Sequence, residues 1–403
     1  MSNRPRSAGR QFLQIPGPTP IPDRVLRAID MPIIDHRGPE FQRLAKRVLE
    51  KVKGIFKTQS KVIIFPASGT GGWEAALVNT LSPGDRVLMF ESGQFAALWK
   101  AMALRLGLKP EFIESDWRIG ADPAQIEARL KDDKNHEIKA VCVVHNETAS
   151  GTTAPLGEIR KVLDKLKHPA LFFVDAVSSL GSIDVRQDEW GIDAVIAGSQ
   201  KGLMLPPGLA FNGVSQKALD AAKVSRFPKS YWAWDDMLAN NANGFFPYTP
   251  ATNLLYGLDV ALDLLAEEGY DNVFERHLRH AEATRRAVNA WGLEVLCRDP
   301  KYYSPVVTSV LLPAGHDADA FRAVVLENFN MALGAGLGKV AGKVFRIGHV
   351  GDTNDLTIVG ALGGVEMGLE LAGIPHRKGG AQVAMEYLAQ QAKKSSQKLA
   401  AAE

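Results

Sequence analysis

The stretch LFFVDAVSSLGSIDVRQDEWGIDAVIAGSQK, residues 171–201, decides how this chain folds. It contains two short apolar runs, 170–174 and 194–197, each followed by a polar loop. Runs this short and this apolar are typical of buried strands in a parallel sheet. Asp175 ends the first strand and Lys201 follows the second, 26 residues later, which leaves room for one crossover between neighbouring strands. Because strand carboxyl ends line the ligand crevice of an open α/β sheet, we expect both side chains to face that crevice.

Strand and helix patterns alternate on both sides of this stretch, from about residue 61 to 212. The predicted strands cover 62–65, 86–90, 111–113 and 139–144, and the predicted helices cover 71–81, 95–106, 123–130 and 156–166. This alternation predicts a mostly parallel sheet covered by helices on both faces. Two long helices are expected next, over 252–267 and 271–291. Beyond Gly292 the pattern predicts a smaller α+β unit, with strands at 306–312 and 344–347 and helices at 318–328 and 354–371.

The composition excludes several classes of protein. The 403 residues are 46% hydrophobic and 23% charged, which suits one or two large cores and argues against disorder. A net charge of +2 gives no general attraction to nucleic acid. Cys142 and Cys297 alone cannot build a disulfide framework or a cysteine-based zinc cluster. We find no signal segment and no run near the roughly 18 apolar residues that cross a membrane, so we expect a cytoplasmic protein.

Three local patterns could together hold one cofactor. Ser68-Gly69-Thr70 opens a helix after an apolar strand, so its N–H groups and the helix dipole suit an anion such as phosphate. A buried carboxylate such as Asp175 is stabilised by a cationic or protonated partner. The amine of Lys201, at a strand end, could form a Schiff base with an aldehyde. Taken singly, each pattern also has a purely structural explanation. Ser68-Gly69-Thr70 could be an ordinary capped helix start, Asp175 a helix cap or turn residue, and Lys201 a surface lysine. Together they match the phosphate, ring nitrogen and aldehyde of pyridoxal phosphate.

Two further patterns favour structural readings. The segment 334–339, GAGLGK, fails the spacing of both dinucleotide and P-loop motifs, so we predict a flexible turn before a strand. His277 and His280 stand three residues apart on a charged helix without further ligands nearby. We therefore predict a solvated helix face there and no metal site.

A series of motifs occurs in a specific order along the chain. They are Pro16-Gly17-Pro18-Thr19-Pro20, Ser68-Gly69-Thr70, Glu74-Ala75-Ala76-Leu77, His145-Asn146-Glu147-Thr148, the run 174–181, Gly198-Ser199-Gln200-Lys201 and the run 342–348. In this order they resemble the class V aminotransferases of the fold-type I pyridoxal phosphate enzymes. Within that class, the chain resembles the serine–glyoxylate and alanine–glyoxylate aminotransferases. The resemblance extends from Ile15 to about Leu371.

The resemblance implies a fold and an assembly. It implies an α/β fold with a large domain built on a mostly parallel seven-stranded sheet covered by helices, plus a smaller C-terminal α+β domain. The corresponding divisions are an N-terminal arm (1–21), the cofactor-binding domain (22–270), the small domain (271–375) and a tail (376–403). It also implies a homodimer with active sites at the subunit interface, with a higher oligomer left open, and no nucleic-acid or membrane partner.

The resemblance also implies roles for individual residues. Lys201 would hold the aldehyde of pyridoxal 5'-phosphate and act as general base, and Asp175 would pair with the ring nitrogen. Phe95 and Val177 would cover the two ring faces, and Thr148 would bind the phenolic oxygen. The remaining residues would bind the phosphate or the substrate. The phosphate ligands would be Ser68, Gly69, Thr70 and Gln200, with Tyr248 and Thr249 reaching across the dimer interface, and the substrate ligands would be Gly17 and Arg346.

The implied reaction moves the amino group of L-serine to glyoxylate in a ping-pong sequence, giving hydroxypyruvate and glycine. Alanine or another small amino acid stays open as the donor, and a non-catalytic structural homologue is the alternative from a different class. A cysteine desulfurase needs a reactive cysteine on a mobile loop, and it is disfavoured because Cys142 is expected in a strand and Cys297 at a strand edge. An enzyme specific for a phosphorylated or phosphonate donor would need a further cationic pocket. The aromatic cluster Tyr231, Trp232 and Trp234 either packs its loop or narrows the substrate pocket.

Overall fold

The structure, a computed structural model, describes residues 8–402, apart from the side chains of 395, 396 and 398–402. The first seven residues of the expected N-terminal arm and the last residue of the tail lie outside the described residues.

The strands alternate with helices along most of the chain. The strands are β1 (Phe12–Gln14), β2 (Lys61–Phe65), β3 (Arg86–Phe90), β4 (Lys109–Ile113), β5 (Ile138–Val144), β6 (Asn146–Glu147), β7 (Thr152–Thr153), β8 (Leu171–Asp175), β9 (Ala194–Gly198), β10 (Ala210–Val214), β11 (Glu294–Val295), β12 (Val307–Leu311), β13 (Met331–Ala335) and β14 (Val344–Gly348). The α-helices are α1 (Asp23–Ile29), α2 (Pro39–Phe56), α3 (Gly69–Thr80), α4 (Gln94–Arg105), α5 (Pro123–Asp132), α6 (Leu156–Leu166), α7 (Gln216–Ala222), α8 (Trp234–Asn241), α9 (Thr252–Glu268), α10 (Tyr270–Trp291), α11 (Ala318–Phe329), α12 (Asp355–Leu371) and α13 (Gly380–Ala402).

The larger sheet has seven strands in the order β2-β10-β9-β8-β5-β3-β4. Strand β10 is antiparallel to both neighbours, and the pairs from β9 to β4 are parallel. Phe172 and Phe173 are fully buried and pack into different apolar clusters, so helices cover both faces of β8. The expected mostly parallel seven-stranded sheet is confirmed.

The sequence pattern does not predict strand β10, because Asn212 and Gly213 interrupt its apolar run. Asn212 is nevertheless fully buried. Its Nδ2 donates to the Gly72 carbonyl at 3.1 Å, and its Oδ1 accepts from Trp234 Nε1 at 3.2 Å. The amide thus satisfies its hydrogen bonds inside the core, which a hydrophobicity pattern cannot reveal.

The smaller sheet has the order β1-β13-β14-β12-β11 and joins the two ends of the chain. Strand β1 pairs in parallel with β13, so part of the expected arm forms an edge strand of this sheet. The prediction of a flexible turn is wrong at Gly334, which lies in β13. A Cβ there would come within 2.9 Å of Pro16 Cδ, so the glycine lets the arm pack closely. No helix of the described chain combines the length and apolar character needed to cross a membrane.

The prediction of a solvated face at His277 and His280 is also wrong, because both rings are fully buried. His277 Nδ1 lies 2.7 Å from the Val273 carbonyl, and His280 Nε2 lies 2.9 Å from Asp355 Oδ1. The segment after β14 covers this helix face and adds a third buried ring, His349. Burial lowers the pKa of His277 to about 3, that of His280 to about 4, and that of His349 well below its usual value.

These histidines predict a loss of stability in mild acid. Because their folded-state pKa values are depressed, the unfolded chain binds protons that the folded chain does not, so stability falls as pH drops from about 6.5 toward 4. His277 and His280 should each cost about 2 kcal/mol between pH 7 and 5, by linkage. Denaturant unfolding of His277→Gln should show a pH-dependent loss smaller by about that amount. An unchanged loss in the variant would contradict this assignment.

Candidate active site

A cavity of about 250 Å³ opens where β8 and β9 end and α3 begins. Nine of its lining residues are among the predicted site residues. The lining comprises Ser68, Gly69, Thr70, Trp73, Phe95, Asn146, Thr148, Asp175, Val177, Ser178, Gln200 and Lys201. The fold therefore brings together, in one cavity, residues from five separate segments of sequence.

One end of the cavity is the N-terminus of α3. Ser68 is the N-cap residue, yet its side chain makes no capping hydrogen bond, so its hydroxyl is not committed to the helix. A Cβ at Gly69 would lie 2.5 Å from Val177 Cγ2, so this position needs a glycine. Gln200 Oε1 is buried without a hydrogen-bond partner among the described residues. Uncommitted helix N–H groups, hydroxyls and an amide make a site suited to phosphate.

Asp175 is a buried carboxylate at the end of β8. Its Oδ1 accepts from the Val177 N–H at 2.8 Å, and among the described residues no cation lies within ion-pair distance. Burial raises the pKa of Asp175 to about 7, although the Val177 N–H, the Trp73 indole and the charge of Lys201 all lower it. An acid in this position favours a cationic partner that enters the cavity.

Lys201 lies in the loop after β9, where the N-terminal arm covers it. Its Nζ donates a hydrogen bond to the Pro16 carbonyl, and the Thr19 hydroxyl donates to the Lys201 carbonyl at 3.3 Å. Gly17 has a φ of +95°, and a Cβ there would lie 2.3 Å from Lys201 Cδ. Burial and the charge of Arg346 lower the pKa of Lys201 to about 8, against the opposing effect of Asp175. The amine is therefore partly neutral, and nucleophilic, near neutral pH.

Arg346 on β14 is a buried guanidinium beside this cavity. Its Nε donates to the Ala335 carbonyl at 2.6 Å and its Nη1 donates to the Thr148 carbonyl at 2.9 Å. No carboxylate lies within ion-pair distance in the described part of the chain. Burial lowers the pKa of Arg346 to about 10, although the charge of Glu147 raises it. A buried guanidinium held only by carbonyls retains its charge and free N–H groups for an incoming carboxylate.

Tyr248 and Thr249 do not line this cavity. The Tyr248 ring stacks on the Tyr231 ring, with 4.5 Å between the ring centroids. Thr249 lines a separate groove that includes Ile33. The loop that contains Tyr231, Trp232 and Trp234 does not line the cavity either. The Trp232 ring packs edge-on against the Phe65 ring, with 5.2 Å between the ring centroids. Trp234 is a core residue, 1% exposed. Trp232 also packs against the first turn of α3, where a Cβ at Gly71 would lie 2.5 Å from its ring.

Several residues of the site escaped the sequence reasoning. Trp73, Asn146 and Ser178 line the cavity, and all three lie within or beside motifs already identified. Asn146 Nδ2 donates to Ser178 Oγ at 2.8 Å, joining two loops of the cavity wall. The Pro16 carbonyl was missed because a backbone acceptor carries no side-chain signal. For Trp73, Asn146 and Ser178, the signal that the sequence offered was their position within or next to a motif that contains predicted site residues.

The two thiols lie away from this chemistry. Cys142 is buried in β5, as expected, and burial raises its pKa. Cys297 lies two residues after the end of β11, and burial raises its pKa to about 11. Neither lines the cavity, which agrees with the expectation against a desulfurase. Residues 8–402 contain no cluster of three or more His, Cys, Asp or Glu arranged for a metal ion.

Comparison with known proteins finds extensive similarity. The family model for class V aminotransferases matches residues 12–347. The serine–glyoxylate aminotransferase of Methylorubrum extorquens is 51% identical, over 95% of this chain and 97% of that protein. The L-aspartate–glyoxylate aminotransferase of Paracoccus denitrificans is 45% identical, over 96% and 98%. The crystal structure of pyridoxamine–pyruvate aminotransferase from Mesorhizobium loti superimposes with a TM-score of 0.89 at 30% identity, covering 96% of this chain and 99% of that one.

The environment of Lys201 predicts an unusual labelling profile. With a small acylating reagent, modification of the Lys201 peptide, followed by mass spectrometry, should rise with a midpoint near pH 8. The Asp175→Asn variant should shift the midpoint lower, because the carboxylate raises the pKa of the amine. A midpoint near the ordinary lysine value of 10.5 would contradict the burial argument.

Proposed function

The chain belongs to the class V aminotransferases, and from that premise we propose that it transfers the amino group of L-serine to glyoxylate, giving hydroxypyruvate and glycine. Pyridoxal 5'-phosphate is the proposed cofactor. The observation that carries the proposal is the meeting of Lys201, Asp175 and the start of α3 around one cavity. The similarity to serine–glyoxylate aminotransferases supports the choice of substrates.

The residues of the cavity fit this cofactor. When bound, pyridoxal phosphate supplies an aldehyde that takes up an amino group and a ring that withdraws electrons from the substrate α-carbon. Lys201 would attach to the aldehyde, and Asp175 would keep the ring nitrogen protonated. The Thr148 hydroxyl would bind the phenolic oxygen, with Phe95 and Val177 on the two ring faces. The phosphate would be held by Ser68, Gly69, Thr70 and Gln200.

Lys201 would also move the proton. Its lowered pKa leaves a useful fraction of neutral amine near neutral pH. Nζ could therefore accept the proton from the substrate α-carbon and pass it to the carbon that had carried the aldehyde. The Pro16 carbonyl, which accepts a hydrogen bond from Nζ, would orient the amine. Because Gly17 leaves no space for a side chain, the arm would also exclude water from this side of the cavity.

Arg346 would bind the carboxylate shared by every amino-acid and keto-acid substrate, and the backbone at Gly17 would border it. The only cation lining the described cavity is Lys201, with Arg346 beside it. A second acidic group, as in aspartate or a phosphorylated donor, would find no further cation among the described residues that line the cavity. This favours serine, with alanine or another small amino acid as the second candidate. Retention of Lys201, Asp175 and Arg346 disfavours a non-catalytic homologue.

A steady-state panel tests the proposed reaction. Serine, alanine, asparagine and aspartate would each be paired with glyoxylate and with pyruvate. The serine–glyoxylate pair should give the highest kcat/KM. Lys201→Ala should lower turnover by roughly 10³-fold or more, since it removes both the attachment point and the general base. The exposed Lys109→Ala provides a matched control that should stay active. Turnover in Lys201→Ala equal to that of the control would refute the mechanism.

We also propose a homodimer in which Tyr248 and Thr249 of each subunit reach the phosphate site of the other. Both residues lie outside the cavity of their own chain, which supports this assignment. Thr249 shares its groove with Ile33, whose side chain is 79% exposed, and Met31 nearby is half exposed. Exposed apolar residues next to an unexplained groove are typical of an interface.

Sedimentation equilibrium tests the dimer. The mass should be twice the 43.7 kDa of the chain, and Ile33→Asp should shift the equilibrium toward monomer by burying a charge in the interface. Leu356→Asp is the matched control, because Leu356 is equally exposed, at 80%, but lies on α12. A monomeric wild-type protein, or identical behaviour of the two variants, would contradict the proposed interface.

Two broader assignments belong to the same proposal. We propose that residues 22–270 form the cofactor-binding domain and 271–375 the small domain, with 1–21 as the arm and 376–403 as the tail. The seven-stranded sheet lies within 22–270, and four of the five strands of the smaller sheet lie within 271–375, which supports this division. We also propose a cytoplasmic location, which the two unpaired, buried cysteines support.

A further inference from the structure

Glu147 is a fully buried carboxylate behind the cavity wall, and it takes no part in the chemistry described so far. Its Oε2 accepts hydrogen bonds from the Phe95 N–H at 2.9 Å and the Ala96 N–H at 3.2 Å. Its Oε1 accepts from the Ala149 N–H at 3.0 Å. One side chain therefore spans the first turn of α4 and the turn that follows β6.

The fold makes room for this carboxylate. A Cβ at Gly93 would lie 2.4 Å from Glu147 Cγ and 2.6 Å from its Cδ, so only glycine fits before α4. The N-cap position of α4 has no side-chain cap of its own. Glu147 supplies the missing acceptors from a distant segment, where a negative charge also suits the helix dipole.

Three residues in or beside the cavity depend on the two segments that Glu147 joins: Phe95, Thr148 and Arg346. Phe95, which lines the cavity, lies in the first turn of α4. Thr148 follows Glu147 directly, and its carbonyl accepts the hydrogen bond from Arg346 Nη1 at 2.9 Å.

Charges on both sides act on the carboxyl of Glu147. Burial and the charge of Asp175 raise its pKa, to about 7, whereas the three N–H groups lower it. Arg346 is the nearby cation, since the charge of Glu147 raises the pKa of Arg346. The charge of Glu147 therefore acts on both Asp175 and Arg346, in addition to the three hydrogen bonds that the carboxylate accepts.

We propose that Glu147 is a positioning residue that fixes the Phe95 ring and the Thr148 carbonyl, and through that carbonyl Arg346, as one unit. The inference rests on the proposed function, in which Phe95 covers the cofactor ring and Arg346 binds the substrate carboxylate. Loss of the carboxylate would let the ring and the guanidinium move independently.

Glutamine cannot replace the carboxylate at this position. It offers one acceptor oxygen, and its NH₂ group would face backbone N–H donors on the other side. Glu147→Gln therefore keeps the size of the side chain and breaks the link between the two segments.

A matched control exists on α12. The Glu366 carboxylate accepts from the Gly379 and Ala381 N–H groups at the start of α13 and from Trp291 Nε1. Glu366→Gln thus also removes an acid that connects a helix start to another segment, but away from the cavity. It separates the loss of such a connection in general from the loss of this one.

The experiment compares both full-length variants with the wild type. For Glu147→Gln we expect pyridoxal phosphate affinity to fall about tenfold or more, because at least one charge-assisted hydrogen bond is lost. The KM values for serine and glyoxylate should rise with it. Hydrogen exchange in the cofactor-free protein should speed up over residues 94–105. Glu366→Gln should match the wild type in all of these readouts, although both variants should melt earlier.

A Glu147→Gln variant that melts earlier but keeps wild-type affinity, KM and exchange would overturn the proposal. Should Glu147→Gln not fold, Gly93→Ala carries the test, because it leaves the charge and displaces the side chain by steric overlap. Wild-type values in Gly93→Ala would likewise overturn the proposal. A wild-type protein that does not bind pyridoxal phosphate would defeat the proposed function alone, since the exchange measurement still judges Glu147.

Discussion

The structure depends on burying three charged groups around one cavity without pairing them to each other. Asp175, Lys201 and Arg346 are all buried or nearly so, and no ion pair joins them among the described residues. Burying an unpaired charge is unfavourable, and their shifted pKa values reflect that cost. The cost is offset when molecules carrying the complementary charges enter the cavity. A ligand that brings a cation to Asp175 and a carboxylate to Arg346 would supply those charges, as the proposed cofactor and substrate do.

The rest of the fold serves to hold these groups in place. Strands β8 and β9 of the larger sheet end at Asp175 and just before Lys201, and β14 of the smaller sheet carries Arg346. Strand β1 pairs with the smaller sheet, and the chain then passes over Lys201 at Pro16 and Gly17. One short arm thus connects the sheet that carries Arg346 to the loop that carries Lys201. A shift of either sheet would change the environment of Lys201 directly.

Much of this arrangement could be predicted from sequence, for local reasons. The apolar runs before Asp175 and Lys201 predicted β8 and β9, and the strand-to-helix transition at Ser68 predicted the helix start that now lines the cavity. What the sequence pattern missed depends on tertiary partners. Asn212 looked incompatible with a buried strand until Trp234 and Gly72 satisfied its amide. His277 and His280 looked solvated because the segment that covers them lies some 70 residues later. The role of Glu147 required knowing that α4 begins beside it.

The most direct test of the account is to find where pyridoxal phosphate attaches. The protein would be incubated with the cofactor, treated with borohydride to make the linkage permanent, digested and analysed by mass spectrometry. The account predicts one pyridoxyl group per chain, on the peptide that contains Lys201. Attachment at another lysine, or no attachment under conditions where the protein is folded, would contradict it.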